Sequence, residues 1–154
     1  MIRKFVAVAL AAGVMFGTAG CNMISHVATN DVYAPSDGAQ VDVSGLHARN
    51  FLLLTDGTKS ILIGSLVNGN TDPVSASLSY EDGGAQKTTQ VNLNGAQKFD
   101  LGYNGTSALP VASELPAGAI FKVTVAVGSE KQELRVPVLD GTLPEYKAVL
   151  DANQ

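Results

Sequence analysis

The sequence is poor in the residues that carry most protein chemistry. Among its 154 residues it has one cysteine, two histidines, three methionines and no tryptophan. A single cysteine cannot form a disulfide within the chain, and it cannot supply the four thiolates of a structural zinc site or an iron–sulfur cluster. These shortages exclude the disulfide-stapled and cluster-binding classes. The length of the chain is typical of a single domain, and 45% of its residues are hydrophobic, which is enough for a core.

The first 20 residues have the layout of a secretory signal peptide. Arg3 and Lys4 precede an apolar run over 5–16, and the small residues of 17–20 follow it. The run is too short to span a bilayer comfortably, and small residues before a cleavage site admit a peptidase. We therefore predict that residues 1–20 are removed and that the protein works outside the cytoplasm.

Positive charge is scarce in the remainder of the chain. Without Arg3 and Lys4, eight basic residues stand against 14 acidic ones, a formal net charge of −6. Because an acidic surface repels phosphate backbones, binding to nucleic acid is not expected.

The only cysteine, Cys21, comes directly after the predicted cleavage site. Thr18, Ala19 and Gly20 before it resemble the lipobox of bacterial lipoproteins, which usually carries Leu where this chain has Thr18. The resemblance implies that Cys21 is acylated, so that membrane lipid holds the protein to the outer face of the cell membrane. Each buried CH₂ of an acyl chain contributes about 0.8 kcal/mol, and two or three chains give lasting attachment. The alternative is an unmodified thiol beside an ordinary signal-peptidase site.

The mature chain divides into three segments by composition. Residues 21–40 are polar, rich in turn formers and without a sustained apolar period, which is typical of a flexible tether. Residues 41–140 are expected to form the folded domain. In the tail, 141–154, Pro144 and the apolar spacing after it predict a short helix laid on that domain.

The domain segment carries short apolar runs separated by Gly, Asn, Asp and Pro. Over 120–127 apolar residues alternate with Lys, Thr and Ala, as in a strand with one face in a core. Gly128 and Ser129 suit a tight hairpin, whereas Pro137 indicates an edge position or a bulge. These patterns predict an all-β fold, an antiparallel Greek-key sandwich that is Ig-like or cupredoxin-like. We expect about seven strands, over 46–54, 60–68, 74–80, 87–93, 98–101, 120–127 and 131–139.

The sequence shows no catalytic or metal-binding constellation. His26 lies in the tether segment and His47 in the first predicted strand, and neither has a second histidine or a cysteine nearby. No Gly-x-Ser-x-Gly elbow occurs, and the acidic residues punctuate turns, as at Asp56 and Asp140. We therefore expect no enzyme, no cofactor and no metal site. An enzyme site assembled from dispersed Asp, Ser and Asn residues is the open alternative.

Several strand and turn segments resemble periplasmic copper chaperones of the PCuAC type. Actinobacterial lipoproteins of the LpqE type look more similar still, because they share the lipobox cysteine, the motif at 33–38 and the strand start at Arg49 and Asn50. The resemblance covers roughly residues 33–140 and implies a cupredoxin-like sandwich. The segments that resemble the copper chaperones are 66–73, 115–118, 121–127 and 133–138.

Copper chaperones hold Cu(I) with His and Met side chains, because this soft ion prefers thioether and imidazole ligands. In this sequence Met1 and Met15 leave with the signal peptide, and the domain segment has no methionine. No ligand position of that family can therefore be carried over. The remaining soft pair is Met23 with His26, in the predicted tether.

We therefore expect a non-enzymatic lipoprotein of the cell envelope that acts as an interaction or accessory module. Its partner would be an envelope protein or a cell-wall component, bound through sheet edges or loops, with Tyr103 and Asn104 as exposed candidates. The alternative is a copper-binding, chaperone-like protein that uses His47 or the pair Met23 and His26.

Overall fold

Nine strands and one C-terminal helix make up residues 35–153, the part of the chain that the computed structural model describes. The predicted signal peptide, Cys21 and most of the predicted tether lie outside the described residues. No helix within 35–153 has the length and apolar character needed to span a bilayer. The elements are β1 Ala39–Val43, β2 Leu46–Thr55, β3 Ser60–Asn68, β4 Val74–Asp82, β5 Ala85–Leu93, β6 Lys98–Leu101, β7 Leu109–Val111, β8 Ile120–Val127, β9 Glu130–Asp140 and α1 Pro144–Ala152.

All seven strands predicted from the sequence are present, and β3, β6 and β8 have the predicted bounds. Two short strands were not predicted. β1 begins at Ala39, so residues 39 and 40 of the segment predicted as tether already belong to a strand. β7 has three residues and contains Pro110, and it is too short to give a period of its own.

The strands form two layers that share β9. One layer has the order β5-β4-β8-β9, and the other is built on β2 and β3, with β1 beside β2 and with β6 and β7 beside β3. β9 pairs with β8 as far as Pro137, and from Val138 onward it pairs with β2. Pro137 therefore marks the point where the strand changes layer. It pairs with Ile120 without a register shift, so it is not the predicted bulge, and β9 is an inner strand of the sheet order.

The predicted all-β fold is confirmed, with one difference in strand direction. Every strand pair is antiparallel except β2 with β9, which run parallel and place Thr55 opposite Asp140. The purely antiparallel sandwich of the prediction was wrong at this pair. The pairing joins segments that are far apart in the chain, and no local pattern signals it.

Both predicted tight hairpins are present. Asp82 pairs with Ala85 across Gly83 and Gly84, whose φ angles of 60° and 81° suit a type I′ turn that only glycine adopts at low cost. Val127 pairs with Glu130 across the second turn. These hairpins fix the registers of β4 with β5 and of β8 with β9.

Apolar side chains form two clusters, one on each face of β2 and β3. The larger lies between the two layers and includes Phe51, Leu53 and Val123. The smaller lies on the outer face of β2 and β3, where Leu150 of α1 covers it. Because both of their faces are buried, β2 and β3 read as continuous apolar runs and not as alternating ones. The predicted helix laid on the domain is thus confirmed, and its place is this outer face.

Candidate functional site

His47, the one histidine of the described residues, lies in β2 opposite Asp42 of β1. Its Nδ1 is 2.9 Å from Oδ1 of Asp42, and the same carboxylate oxygen is 2.5 Å from the guanidinium of Arg49. The hydrogen bond from Arg49 is the main cause that lowers the pKa of Asp42 below its usual range, and the bond with His47 adds to it. The three side chains form a half-exposed ion-pair network on the β1–β2 hairpin.

This network does not suit a copper ion. Arg49 also lies 3.3 Å from Nδ1 of His47, so a fixed cation faces the ring nitrogen that a metal ion would need. The other ring nitrogen lies against Gly69, where a Cβ atom would stand 2.7 Å from it. Within 35–153 no three His, Cys, Asp or Glu side chains are grouped to hold a metal ion. Met23 and His26, the other predicted copper ligands, lie outside the described residues, as does Cys21.

Tyr103 and Asn104, the predicted exposed candidates, lie in the loop after β6. Tyr103 is half-buried and packs against the outer cluster, and this burial raises the pKa of its hydroxyl. Asn104 is exposed, has a φ of 53° and donates a hydrogen bond of 2.7 Å to Asp100. Both residues therefore support the loop.

A cavity within the described residues lies where the parallel pair β2–β9 ends. It has a volume of about 610 Å³, and the turn after β2, the loop before β8, the end of β9 and helix α1 surround it. Thr55 and Asp140 are opposite each other in the strand pair, which sets Asp56 and Asp140 at the same end of the sandwich. The lining residues are Thr55, Asp56, Gly57, Leu115, Pro116, Ala117, Asp140, Gly141, Thr142, Lys147, Leu150 and Asp151.

A second cavity, of about 430 Å³, adjoins the first, because Ala117 and Asp140 line both. We call the two together the Asp140 cleft. The second cavity is the more apolar, and Leu143, with 47% of its surface exposed, lies at its side. Its other lining residues are Asp37, Gly118, Val138, Leu139 and Tyr146.

The cleft carries fixed negative charge. The backbone N–H groups of Thr58 and Lys59 donate to Asp56 at 2.9 and 2.8 Å, and these bonds lower the pKa of Asp56 to about 2. Hydrogen bonds from Thr142 likewise hold the pKa of Asp140 below its usual range. The cation within the lining, Lys147, is 3.0 Å from Asp151 on the same helix face. Asp56 and Asp140 therefore stay ionised at any physiological pH.

The hydroxyl of Tyr146 joins helix α1 to the beginning of the domain. It donates a hydrogen bond of 2.5 Å to Oδ2 of Asp37, a residue 109 positions earlier in the chain. Burial, with the nearby carboxylate, raises the pKa of Tyr146 well above its usual range, so the hydroxyl keeps its proton. The chain thus enters the domain at the side of the cleft.

Sequence reasoning assigned Asp56 and Asp140 to turns. Asp56 begins the turn after β2, whereas Asp140 is the last residue of β9, and sequence reasoning did not bring the two to one cleft. The parallel pairing of β2 with β9 makes that juxtaposition.

The comparisons with known proteins bear on the fold. No protein-family model matches the chain, and no curated protein matches it. Among solved structures it is similar to the apo PCuAC domain of PmoF2, with a TM-score of 0.51 and 13% identity over 68% of this chain and 97% of that one. The copper-bound PCuAC domain from PmoF2 gives a TM-score of 0.49 and 12% identity over 66% and 97%. At this identity the likeness concerns architecture alone: the part of the chain that aligns folds in the manner of a PCuAC domain.

Proposed function

We propose that this chain is a cell-envelope lipoprotein, similar to the actinobacterial LpqE type, whose PCuAC-like domain binds a partner protein and catalyses no reaction. Acylation of Cys21 would anchor it to the outer face of the cell membrane. The lipobox-like residues before Cys21 support the anchor, and the fold supports the relation to PCuAC domains. The observation that carries the binding role is the Asp140 cleft.

The cleft suits a protein ligand because it joins an apolar cavity to a charged one. Leu139 and Leu143 offer apolar surface in the smaller cavity, and Asp56 and Asp140 offer ionised carboxylates in the larger. Exposed apolar surface beside charged groups is typical of sites where proteins bind one another.

The charge of the cleft indicates the chemistry of the ligand. Asp56 and Asp140 attract cations, and Lys147 adds no repulsion because Asp151 pairs with it. A segment of an envelope protein that carries Lys or Arg next to an apolar side chain complements both cavities. A cell-wall polymer without cationic groups could donate hydroxyl groups to the carboxylates but would gain no charge attraction from them.

Copper binding is the competing function, and the PCuAC-like architecture favours it. In the described domain it would depend on His47, whose Nδ1 contacts Asp42 and lies beside the guanidinium of Arg49. Cu(I) prefers two or more soft ligands, and residues 35–153 contain no methionine and no cysteine. The carrier role would thus rest on Met23 and His26, outside the domain.

In-cell photocrosslinking tests the binding role. A photoreactive amino acid replaces Leu143 in the full chain, and the same amino acid at Ser129, in the exposed β8–β9 turn, is the control. We expect a discrete protein adduct from position 143 alone, with the crosslink mapping to a segment that contains Lys or Arg.

Charge variants then separate specific binding from chance capture. Replacing Asp56 and Asp140 together with Asn should weaken the adduct about fivefold, because the change removes two negative charges that attract a cationic ligand. Asp72→Asn, which removes one carboxylate from the exposed turn before β4, should leave it unchanged. No adduct at position 143, or an adduct indifferent to the Asp56 and Asp140 changes, would contradict the proposed site.

A further inference from the structure

β5 is a long edge strand that is open on one side. Its nine residues pair with β4 along their whole length, from Ala85 opposite Asp82 to Leu93 opposite Val74, without a shift in register. Within 35–153 no other strand pairs with β5. Its free edge therefore presents backbone donors and acceptors in a regular row.

The hairpin turn identifies the residues whose backbone groups are free. Asp82 and Ala85 flank a two-residue turn and so exchange hydrogen bonds, and the bonding direction alternates along the strand from there. The residues in the opposite phase point their N–H and C=O groups away from β4, and their side chains are exposed. They are Gln86, Thr88, Gln90 and Asn92.

The other terminal strands carry the features that discourage edge-to-edge pairing. β1 has a register shift near Ala39 and an exposed Asp42, and β7 is three residues long and contains Pro110. β6 has four residues, with Lys98 and Asp100 among them. By contrast, β5 is nine residues long, contains no proline and pairs with β4 without a bulge.

Lys87, the one charged residue of β5, does not prevent edge-to-edge pairing either. The ammonium group of Lys87 pairs with the buried carboxylate of Asp82, and Asp82 is itself only 3% exposed. Lys87 is thus drawn toward the neighbouring strand and compensated there. The free edge therefore presents polar side chains and no uncompensated charge.

We infer that β5 pairs with β5 of a second copy of this chain, antiparallel and centred on Thr89. This register overlaps all nine residues and sets the free groups of Gln86 opposite those of Asn92, and those of Thr88 opposite those of Gln90. No residue of like charge faces another across the junction, so the edge is complementary to itself although the chain as a whole is acidic. The pairing is independent of the Asp140 cleft.

The strand-pair geometry allows the proposed pairing to be tested by disulfide crosslinking of the full-length chain, expressed in its native host. Residue 89 meets its counterpart as a pair without hydrogen bonds, in which Cα atoms are about 4.5 Å apart, within the range for a disulfide. Thr89→Cys should therefore form a disulfide-linked dimer under mild oxidation. The unchanged chain, which carries Cys21 alone, and Ser129→Cys should not.

A proline placed beside this position tests whether the backbone makes the contact. Thr88→Pro removes an N–H that has no partner within β4, so the hairpin keeps its ladder. In the Thr89→Cys background it should reduce the dimer to the level of the unchanged chain. Thr88→Val is the matched control, because it too loses the hydroxyl contact with Ser79 but keeps the N–H, and it should leave the dimer intact.

Four results would overturn the inference. They are the absence of dimer from Thr89→Cys, an equal yield from Ser129→Cys, an equal yield with Thr88→Pro, and a mixed disulfide with a different protein in place of the dimer.

Discussion

The carboxylate of Asp82, at the end of β4, accepts a hydrogen bond of 2.8 Å from the backbone nitrogen of Ser113, which lies 31 residues later in the loop before β8. The hydroxyl of Ser113 donates to the same oxygen and accepts a bond from the N–H of Gly83. The other oxygen pairs with Lys87. A single buried carboxylate therefore fastens that loop, which carries Leu115 and Ala117 to the Asp140 cleft, to the β4–β5 hairpin.

Stability should depend on the ionisation of Asp82. The ion pair with Lys87 and the bonds from Ser113 lower the pKa of Asp82, so its contribution is complete above the unfolded-state pKa of about 3.9 and is lost as the pH falls through the lower folded-state value. Asp82→Asn should lower the free energy of unfolding by about 1–3 kcal/mol at neutral pH.

Urea unfolding of residues 22–154 between pH 3 and 7 measures this effect. The difference between the two proteins should shrink below about pH 4. Asp72→Asn, in an exposed turn, is the control and should show no such difference. An Asp82→Asn protein as stable as the natural one at pH 7 would contradict the role of this carboxylate.

Gly64 leaves the space that the ring of Phe51 occupies in the main core. A Cβ atom at Gly64 would stand 2.7 Å from Cδ2 of Phe51, whose side chain is fully buried. Gly64→Ala should therefore destabilise the domain by about 1–3 kcal/mol through overpacking. The combination with Phe51→Leu should cost less than the sum of the two single changes, because the smaller side chain relieves the clash. Additive losses in urea unfolding would show that the two residues do not compete for this space.

Leu150 should hold helix α1 on the outer face of the sandwich. It is 6% exposed and packs in the cluster with Leu52, Leu54 and Ile63, whereas Val149 is only partly buried. Leu150→Ala should cost about 2–4 kcal/mol and Val149→Ala about 1 kcal/mol. Hydrogen exchange of the amides in α1 reports the change, and equal protection in both variants would contradict this packing.

Cys21 should determine where the protein resides. Because acyl chains on this thiol would supply the membrane attachment, Cys21→Ala should move the protein from the membrane fraction to the soluble extracytoplasmic fraction. Cys21→Ser is a second variant without the lipid acceptor and should behave in the same way. Retention of either variant in the membrane fraction would show that another part of the chain provides the attachment.

The features that could be predicted from the sequence are those that neighbouring residues determine, namely the strands and the hairpin turns. Alternation over 120–127 defined β8, and the glycine turns defined both hairpins, because period and turn type act over a few residues. The layer change of β9 and the bond from Tyr146 to Asp37 join distant segments, so no local pattern indicates them. The Asp140 cleft depends on both of these contacts, and for that reason only its individual turns were predictable.

The central claim is that a PCuAC-like domain serves here as a binding module without a copper site. A titration of residues 22–154 with Cu(I), against a competing chelator, tests it most directly because Met23, His26 and His47 are all retained. We predict no stoichiometric binding tighter than micromolar, and no difference between the natural chain and His47→Ala. One Cu(I) bound per chain with higher affinity, lost on His47→Ala or on joint replacement of Met23 and His26, would contradict the account and favour a copper carrier.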